Sequence, residues 1–155
     1  MEEREGFAQF VVVLVMAIAI FLIIWAMLPK GQAIIEVNTN INPQSFKTSQ
    51  QSVLTLSLKN NDKAIAHTIG LRFVTYHLVH VYIGATELTP EAPDSGNYTF
   101  EFVLQPAQKT EQPFVVKVSG LPTGIASQEF SMTVEVYADS RLTTTQEVRF
   151  KVEEG

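Results

Sequence analysis

The pattern of hydrophobic and polar positions changes at Pro29: an unbroken apolar run precedes it, and alternating apolar and polar residues follow it. From Phe10 to Leu28 every residue is apolar, and no charge interrupts the run. As a helix rising about 1.5 Å per residue, this run would span roughly 28 Å, close to the ~30 Å hydrocarbon core of a bilayer. We therefore expect one transmembrane helix over residues 10–28, whose lipid-facing side chains include Phe10, Leu14, Ile18, Leu22, Trp25 and Leu28.

The flanks of the apolar run favour a retained anchor over a cleaved signal peptide. Signal peptides combine a basic N-terminal region with an apolar stretch of about 7–15 residues. This run is longer and follows the acidic segment MEERE. Trp25 fits the aromatic belt of a membrane interface, Pro29 ends a helix, and Lys30 can reach the headgroups. Residues 1–9 then form a short tail, and residues 29–33 a linker.

Charge does not decide which side of the membrane carries the rest of the chain. Arg4 and the amino terminus balance Lys30 and Lys47, so the positive-inside rule gives no preference. All-β modules on single anchors are common outside the cytoplasm. On that ground we expect a single-pass protein of the cell membrane with an extracytoplasmic β domain.

Beyond Gly31 the chain alternates apolar and polar residues, which is the period of half-buried strands. Residues 52–59 read SVLTLSLK, which places three leucines on one face. Turn-forming sequences such as NNDK at 60–63 and PEAPDSGN at 90–97 separate the alternating runs. Further strands are expected at Ile34–Asn38, His67–Tyr76 and Leu78–Ile83, and around 98–104, 114–118, 130–136 and 148–152. The prediction is a mainly β domain over residues 34–155, an antiparallel sandwich of seven to eight strands.

The strand sequences also carry a family resemblance. The stretch VLTLSLKNNDKAIAHTIGLRF, with FVVKVSGLP and FSMTVEVYAD further along, resembles the immunoglobulin-like sandwiches of surface proteins, especially archaeal ones. An N-terminal anchor followed by such a sandwich is similar to the stator subunits of the archaellum and to archaeal type IV pilin-like proteins. These families imply assembly through the helix, and contacts to a surface layer or to filament neighbours through the sandwich.

The pilin resemblance can be compared with individual residues. Pilins are cut after a glycine that precedes an apolar helix, and Gly6-Phe7 has that arrangement. Archaeal pilins usually carry a basic residue directly before the glycine, where this chain has Glu5. The bacterial type carries a glutamate five residues into the mature helix, where this chain has Val11. Processing after Gly6 is therefore the weaker alternative.

Composition excludes several function classes. The chain has no cysteine, which removes disulfides and thiolate chemistry, and its net charge of -5 is spread without a basic cluster, so we expect no nucleic-acid binding. His77 and His80 are three residues apart, which points them to opposite faces of a strand rather than to one metal. No nucleophile elbow, phosphate loop or dinucleotide motif is present. We expect no metal, no cofactor and no enzymatic activity.

The remaining polar signals suggest contacts rather than chemistry. Asn97-Tyr98-Thr99 is a candidate N-glycosylation site. Tyr76, Tyr82 and Tyr137 are candidate partner contacts, because tyrosine is enriched at interfaces. The preferred hypothesis is a non-catalytic membrane-anchored protein whose sandwich binds a protein partner or a surface lattice, with oligomerisation left open. The alternatives are a pilin-like filament subunit and an accessory subunit of a membrane enzyme complex.

Overall fold

The apolar run forms a single helix, α1 (Glu2–Met27). The computed structural model describes residues 2–27 and 34–155, and these belong to two separate units. Residues 2–9, the expected tail, are also helical, and Arg4–Met27 is long and apolar enough to cross a membrane. These properties fit a membrane anchor or a signal sequence. Leu28 and the expected linker 29–33 lie outside the described residues.

Residues 34–155 form ten strands in two five-stranded sheets, so the predicted β-sandwich is confirmed. Sheet 1 has the strand order β1-β3-β8-β5-β6, and sheet 2 has the order β2-β10-β9-β4-β7. Within the described residues, strand pairs are antiparallel except β2 with β10, which are parallel. The strands are β1 (Ile35–Asn42), β2 (Ser45–Lys47), β3 (Ser52–Asn60), β4 (His67–Val74), β5 (Val79–Ile83), β6 (Thr86–Glu87), β7 (Asn97–Leu104), β8 (Lys109–Val118), β9 (Ser127–Ala138) and β10 (Arg141–Glu153).

The strand count differs from the expected seven to eight because β2 and β6 were not foreseen. They have three and two residues, too few to show an alternation in the sequence. β2 forms by pairing with β10, which is distant in the chain, so that Phe46 lies beside Val152. β6 forms by pairing with β5 across a tight turn, so that Thr86 lies beside Ile83.

The core lies between the inner faces of the two sheets, at the positions that the alternation predicts. Leu54, Leu56 and Leu58 of β3 are fully buried. Phe114 of β8 meets Phe73 of the opposite sheet, with the ring centroids 4.8 Å apart in an edge-to-face arrangement that aromatic pairs favour. The sandwich therefore encloses an apolar core of its own.

The expected strand at residues 67–76 ends two residues earlier, at Val74. The amide of Thr75 donates to the carbonyl of Gly96, 3.0 Å away, and the chain then turns before β5 begins. A Cβ on Gly96 would lie 2.0 Å from the carbonyl oxygen of Thr75, so only glycine permits this approach of two main-chain segments. Tyr76 and His77 consequently lie in a turn rather than in a strand.

Candidate functional site

The outer face of sheet 2 carries a depression of about 560 Å³ above Gly70 in β4. Side chains of β4 alternate inward and outward, so Gly70 faces out, as Arg72 does. In the strand register Gly70 lies opposite Tyr137 of β9 on one side and Glu101 of β7 on the other. The missing side chain between these two neighbours creates the depression, which we call the Gly70 groove; its walls are Arg72, Thr99, Glu101, Tyr137 and Ser140.

The backbone does not require a glycine at this position. Gly70 is not among the residues with a positive φ, and a Cβ built there would meet the Cβ of Tyr137 at 3.6 Å, an ordinary contact distance. A glycine inside a strand lowers stability by roughly 0.5–1 kcal/mol relative to alanine. The residue therefore costs stability without any local conformational need, which is typical of a surface that something else approaches closely.

We expect Gly70→Ala to raise the free energy of unfolding by about 0.5–1 kcal/mol, because the strand gains a side chain and the unfolded chain loses conformational freedom. Urea unfolding of the full chain in detergent micelles measures this change. The same substitution at Gly96 is the control. There the new Cβ would overlap the main chain at Thr75, so Gly96→Ala should destabilise the sandwich. A loss of stability in Gly70→Ala would contradict the assignment of free space above β4.

Arg72 organises the charges at the groove. Its Nε and Nη2 atoms donate to the two carboxylate oxygens of Glu91, at 2.8 and 3.2 Å, and its Nη1 donates to Glu135 Oε2 at 3.1 Å. The hydroxyl of Tyr137 donates to the same Glu135 oxygen at 3.0 Å. This network of two carboxylates and one guanidinium fixes one wall of the groove, and a further carboxylate, Glu101, is exposed on the neighbouring strand opposite Gly70.

The pKa shifts of Arg72, Glu91 and Tyr137 keep these three groups in their ordinary charge states at neutral pH. The hydrogen bond from Arg72 lowers the pKa of Glu91, and the hydrogen bonds to Glu91 and Glu135 raise the pKa of Arg72. The bond to Glu135 raises the pKa of Tyr137, so the phenol remains protonated. Acid–base catalysis uses a group whose pKa is moved toward neutrality, and these shifts move the other way. The groove therefore presents fixed charges beside a protonated phenol.

The three candidate contact tyrosines lie on different surfaces of the sandwich. Tyr137 forms a wall of the Gly70 groove. Tyr82 lies on β5 in the outer row of sheet 1, where the Nζ of Lys117 is 4.9 Å from its ring centroid. Tyr76 lies in the turn after β4, is 45% exposed, and has its ring centroid 4.1 Å from that of His77. The alternation of apolar and polar residues predicts that Tyr82 and Tyr137 point outward, but it does not show which sheet carries each of them.

The candidate glycosylation residue Asn97 begins β7 and is half-buried. Its main-chain carbonyl accepts a hydrogen bond from the amide of Glu91 at 2.8 Å. The middle residue of the sequon, Tyr98, is 2% exposed, and its hydroxyl donates to the carbonyl of Val79 at 3.2 Å. Burial raises the pKa of Tyr98 to about 12, which keeps that hydroxyl a donor. Glycosylation of Asn97 stays a prediction.

The three histidines are dispersed. His77 lies in the turn before β5, so the expectation that it shares a strand with His80 was wrong; His80 lies on β5, with its Nδ1 2.6 Å from Glu87 Oε1. His67 begins β4, 8% exposed, with its Nδ1 2.5 Å from Asp139 Oδ2. Within residues 2–27 and 34–155 no group of three or more His, Asp or Glu side chains is placed to hold a metal ion.

His67 joins two turns at one end of the sandwich. Besides Asp139, its Nε2 faces Asp62 Oδ2 at 3.5 Å. Asp139 Oδ1 also accepts from the amide of Thr68 at 3.0 Å. The hydrogen bond to Asp139 raises the pKa of His67 above 6.5, and the pKa of Asp139 and of Asp62 is lowered. The arrangement therefore favours a protonated His67 between two carboxylates.

We expect the sandwich to be less stable at pH 8.5 than at pH 6. A pKa that folding raises contributes stability that is fully present below about 6.5 and is lost as pH rises through the folded-state value. The lowered pKa values of the two aspartates act in a separate window, where stability is lost as pH falls below their ordinary range near 4. Urea midpoints of the full chain at the two pH values measure the effect. His67→Gln should reduce the difference between them, and an unchanged difference would show that His67 is not its source.

Comparisons with known proteins add information on the fold. No protein-family model and no curated protein matches this chain. Among solved structures, native E. coli alpha-2-macroglobulin is similar at 13% identity and a TM-score of 0.50, over 80% of this chain and 7% of that chain. Spo0M, a sporulation control protein from Bacillus subtilis, has 14% identity and a TM-score of 0.49, over 80% and 51%. The major pilin subunit of Bacillus cereus has 12% identity and a TM-score of 0.40, over 77% and 40%.

These comparisons concern the fold alone, because each identity is low and this chain spans about half or less of each protein named. The similarity to the pilin subunit is distant and carries no argument about assembly. An archaeal origin and a relation to archaellum stators receive no support from them. The supported description is an apolar N-terminal helix followed by a β-sandwich.

Proposed function

We propose that this chain is a non-catalytic, single-pass membrane protein whose sandwich lies outside the cytoplasm and binds a protein partner or a surface layer. The observation that carries the proposal is α1, whose residues from Phe10 to Met27 are all apolar, so that this part of the helix has no polar face. A helix without a polar face requires apolar surroundings on all sides, and a bilayer supplies them. The anchor would hold the sandwich at a membrane surface.

The binding part of the proposal rests on the Gly70 groove. The sandwich encloses its own core, so its outer faces are available for contacts. The groove combines an open floor, an aromatic wall at Tyr137 and a fixed pattern of charges around Arg72. A preformed surface of this kind binds without losing much conformational freedom. The sequence has no cysteine and no recognised catalytic motif, and at the groove the shifted pKa values of Arg72 and Glu91 keep both groups charged, which favours binding over catalysis.

Co-purification tests the binding part. The full chain is cross-linked in native membranes, extracted in mild detergent and analysed for associated proteins, beside Gly70→Val, which fills the groove. We expect a stoichiometric partner with the natural chain and its loss with the variant, while both remain in the membrane fraction. A natural chain that purifies alone, or that is recovered from the soluble fraction, would overturn the proposal.

The orientation has a test of its own because the chain has no cysteine. Leu142 lies on β10 and is 55% exposed, so Leu142→Cys introduces a single accessible thiol. We expect a membrane-impermeant maleimide to label this variant in intact cells. Labelling only after the cells are lysed would place the sandwich inside and contradict the proposed orientation.

An archaellum stator-like component is the specific form that the sequence resemblance suggests, and a filament subunit is a second candidate. The observation that favours the filament is Gly6-Phe7 at the start of the apolar helix. Mass spectrometry of the mature N-terminus separates the two, because a start at Phe7 supports the filament and a start at Met1 or Glu2 supports a resident anchor. Co-purification with a multi-subunit enzyme would instead select the accessory-subunit alternative.

A further inference from the structure

The four sheet edges of the sandwich are not equivalent. The edge strands β2 and β6 have three and two residues, which limits the pairing that each can offer. The edge strand β1 is eight residues long but reads IEVNTNIN, and asparagine is disfavoured in strands. The edge strand β7 is equally long and reads NYTFEFVL, rich in the aromatic and β-branched residues that strands prefer. Among the described strands, β7 is thus the edge best suited to accept another strand.

The main-chain groups of β7 alternate between β4 and the free edge. The carbonyl of Asn97 accepts from the amide of Glu91, and the amide of Asn97 donates to Ser95 Oγ at 3.0 Å, so both groups point away from β4. In an antiparallel strand every second residue points the same way, so the groups of Thr99, Glu101 and Val103 also face away from β4, and those of Glu101 and Val103 lie beyond the bridge between residues 90 and 98. The loop before β7 pairs only with its beginning, through a bridge between residues 90 and 98. Within the described part of the chain, residues 100–103 have no strand on that side.

The side chains at this edge indicate what an added strand would carry. Phe100 and Phe102 point inward but remain half-buried, with their ring centroids 5.9 Å apart, so an apolar residue beside them would complete their burial. On the outer face Val103 is 54% exposed and Glu101 is exposed. An added strand should therefore alternate apolar residues toward the core with polar residues outward.

On an added strand, the residue opposite Glu101 points outward, and the charge of Glu101 favours a basic residue there. That position continues the row formed by Tyr137, Gly70 and Glu101 across three strands. Opposite charges that face each other across strands stabilise the pair. A lysine or arginine there would meet Glu101, and its long side chain could extend over Gly70 toward the Tyr137 ring, where a cation is favoured. The Gly70 groove thus continues directly into the free edge.

We propose that the free edge of β7 accepts an extended basic segment of another protein as a sixth strand of sheet 2, with a lysine or arginine opposite Glu101. This inference rests on the proposed binding function and names its site and the chemistry of its partner. A second copy of this chain fits the edge less well. Antiparallel pairing of two β7 strands about Glu101 would put the two carboxylates face to face, where like charges are destabilising.

The test uses the full chain in detergent micelles and a defined probe, a blocked eight-residue peptide of alternating valine and arginine. The first control peptide has glutamate in place of arginine. The second is N-methylated at alternate main-chain amides, which removes its strand-pairing donors. We expect the arginine peptide to bind and both controls to bind about tenfold more weakly or worse, a ratio that corresponds to about 1.4 kcal/mol.

Two variants of the chain locate the binding. Val103→Pro removes a donor that faces the free edge and leaves the hydrogen bonds to β4 intact, so the variant should fold but lose the peptide. Glu101→Lys should weaken the arginine peptide and strengthen the glutamate peptide. Urea unfolding verifies that each variant is folded, and Glu101→Lys remains informative if Val103→Pro does not fold. Equal binding of the arginine peptide to a folded variant and to the natural chain would overturn the inference.

The native partner separates this inference from the proposed function. A partner that co-purifies equally with the natural chain and with Glu101→Lys would overturn the β7 site and leave the binding function standing. No partner with the natural chain would overturn the binding function itself. A disulfide-linked homodimer formed by Val103→Cys in membranes, in place of a mixed disulfide with another protein, would make a second copy the occupant and would also overturn the inference.

Discussion

Replacing Leu56 with alanine should lower the free energy of unfolding of the sandwich by about 2–5 kcal/mol. Leu56 is fully buried in β3, the second strand of sheet 1, where it lies between Thr39 of β1 and Gln112 of β8. Truncation removes apolar contacts and leaves a cavity that a sheet held on both sides can close only in part. A domain of this size has a total stability of only about 5–15 kcal/mol. The change would therefore remove a large fraction of it.

Leu142→Ala is the matched control for this prediction. It deletes the same atoms from a leucine of β10 that is 55% exposed, and the expected change is within about 0.5 kcal/mol. Urea unfolding of both full-length variants in the same detergent gives the comparison. Circular dichroism monitors the unfolding, because its signal does not depend on tryptophan. Equal effects at the two positions would mean that the strand faces have been assigned wrongly.

The double substitution Ile18→Asp with Leu22→Asp should remove the chain from the membrane, whereas either single substitution should not. The run from Phe10 to Leu28 contains 13 Leu, Ile, Val and Phe residues, each favouring insertion by about 0.3–0.6 kcal/mol, or roughly 4–8 kcal/mol together. One aspartate near the helix centre costs about 2.5–3.5 kcal/mol, which this sum can absorb. Two cost about 5–7 kcal/mol and cancel it.

Carbonate extraction of membranes measures this effect, with the chain detected by antibody in pellet and supernatant. The control exchanges the same two positions as Ile18→Leu with Leu22→Ile, which keeps the apolar character and should remain in the pellet. If the double aspartate variant stays fully in the membrane pellet, the prediction is wrong, and contacts with other helices rather than lipid alone must surround α1.

In the proposed function, the groove and the edge of β7 would together form one binding surface on a sandwich whose core is already complete. Gly70 opens the outer face between Tyr137 and Glu101, and β7 offers free main-chain groups next to it. Each feature alone is common on β proteins. Their adjacency is what makes the proposed partner chemically specific.

Much of the fold could be predicted from the sequence because it depends on local periodicity. The inward positions of β3 and β9 were correct, since a strand alternates its faces whatever strand lies beside it. The prediction was wrong where a distant partner determines the structure. The strand at 67–76 stops at Val74 because Gly96, more than twenty residues away, meets Thr75. The short strands β2 and β6 exist only through their neighbours.

The candidate site could be predicted only in part for the same reason. Tyr137 was selected as an outward-facing tyrosine, and it does line the groove. Gly70 and Arg72 were not selected, because one glycine and one arginine in an alternating strand carry no signal of their own. The pairing of His67 with Asp139 could not be predicted either, because the two residues are 72 positions apart in the chain.

The sequence by itself determined that an apolar helix precedes a two-faced β domain, because hydrophobic length and alternation are properties of neighbouring residues. Only the tertiary structure decided that β7 is an edge and that Gly70 lies between Tyr137 and Glu101. Strand order and register arise when segments far apart in the chain pair through main-chain groups that every residue carries. The side chains constrain that choice through the shape of the whole core, which no single stretch of sequence contains.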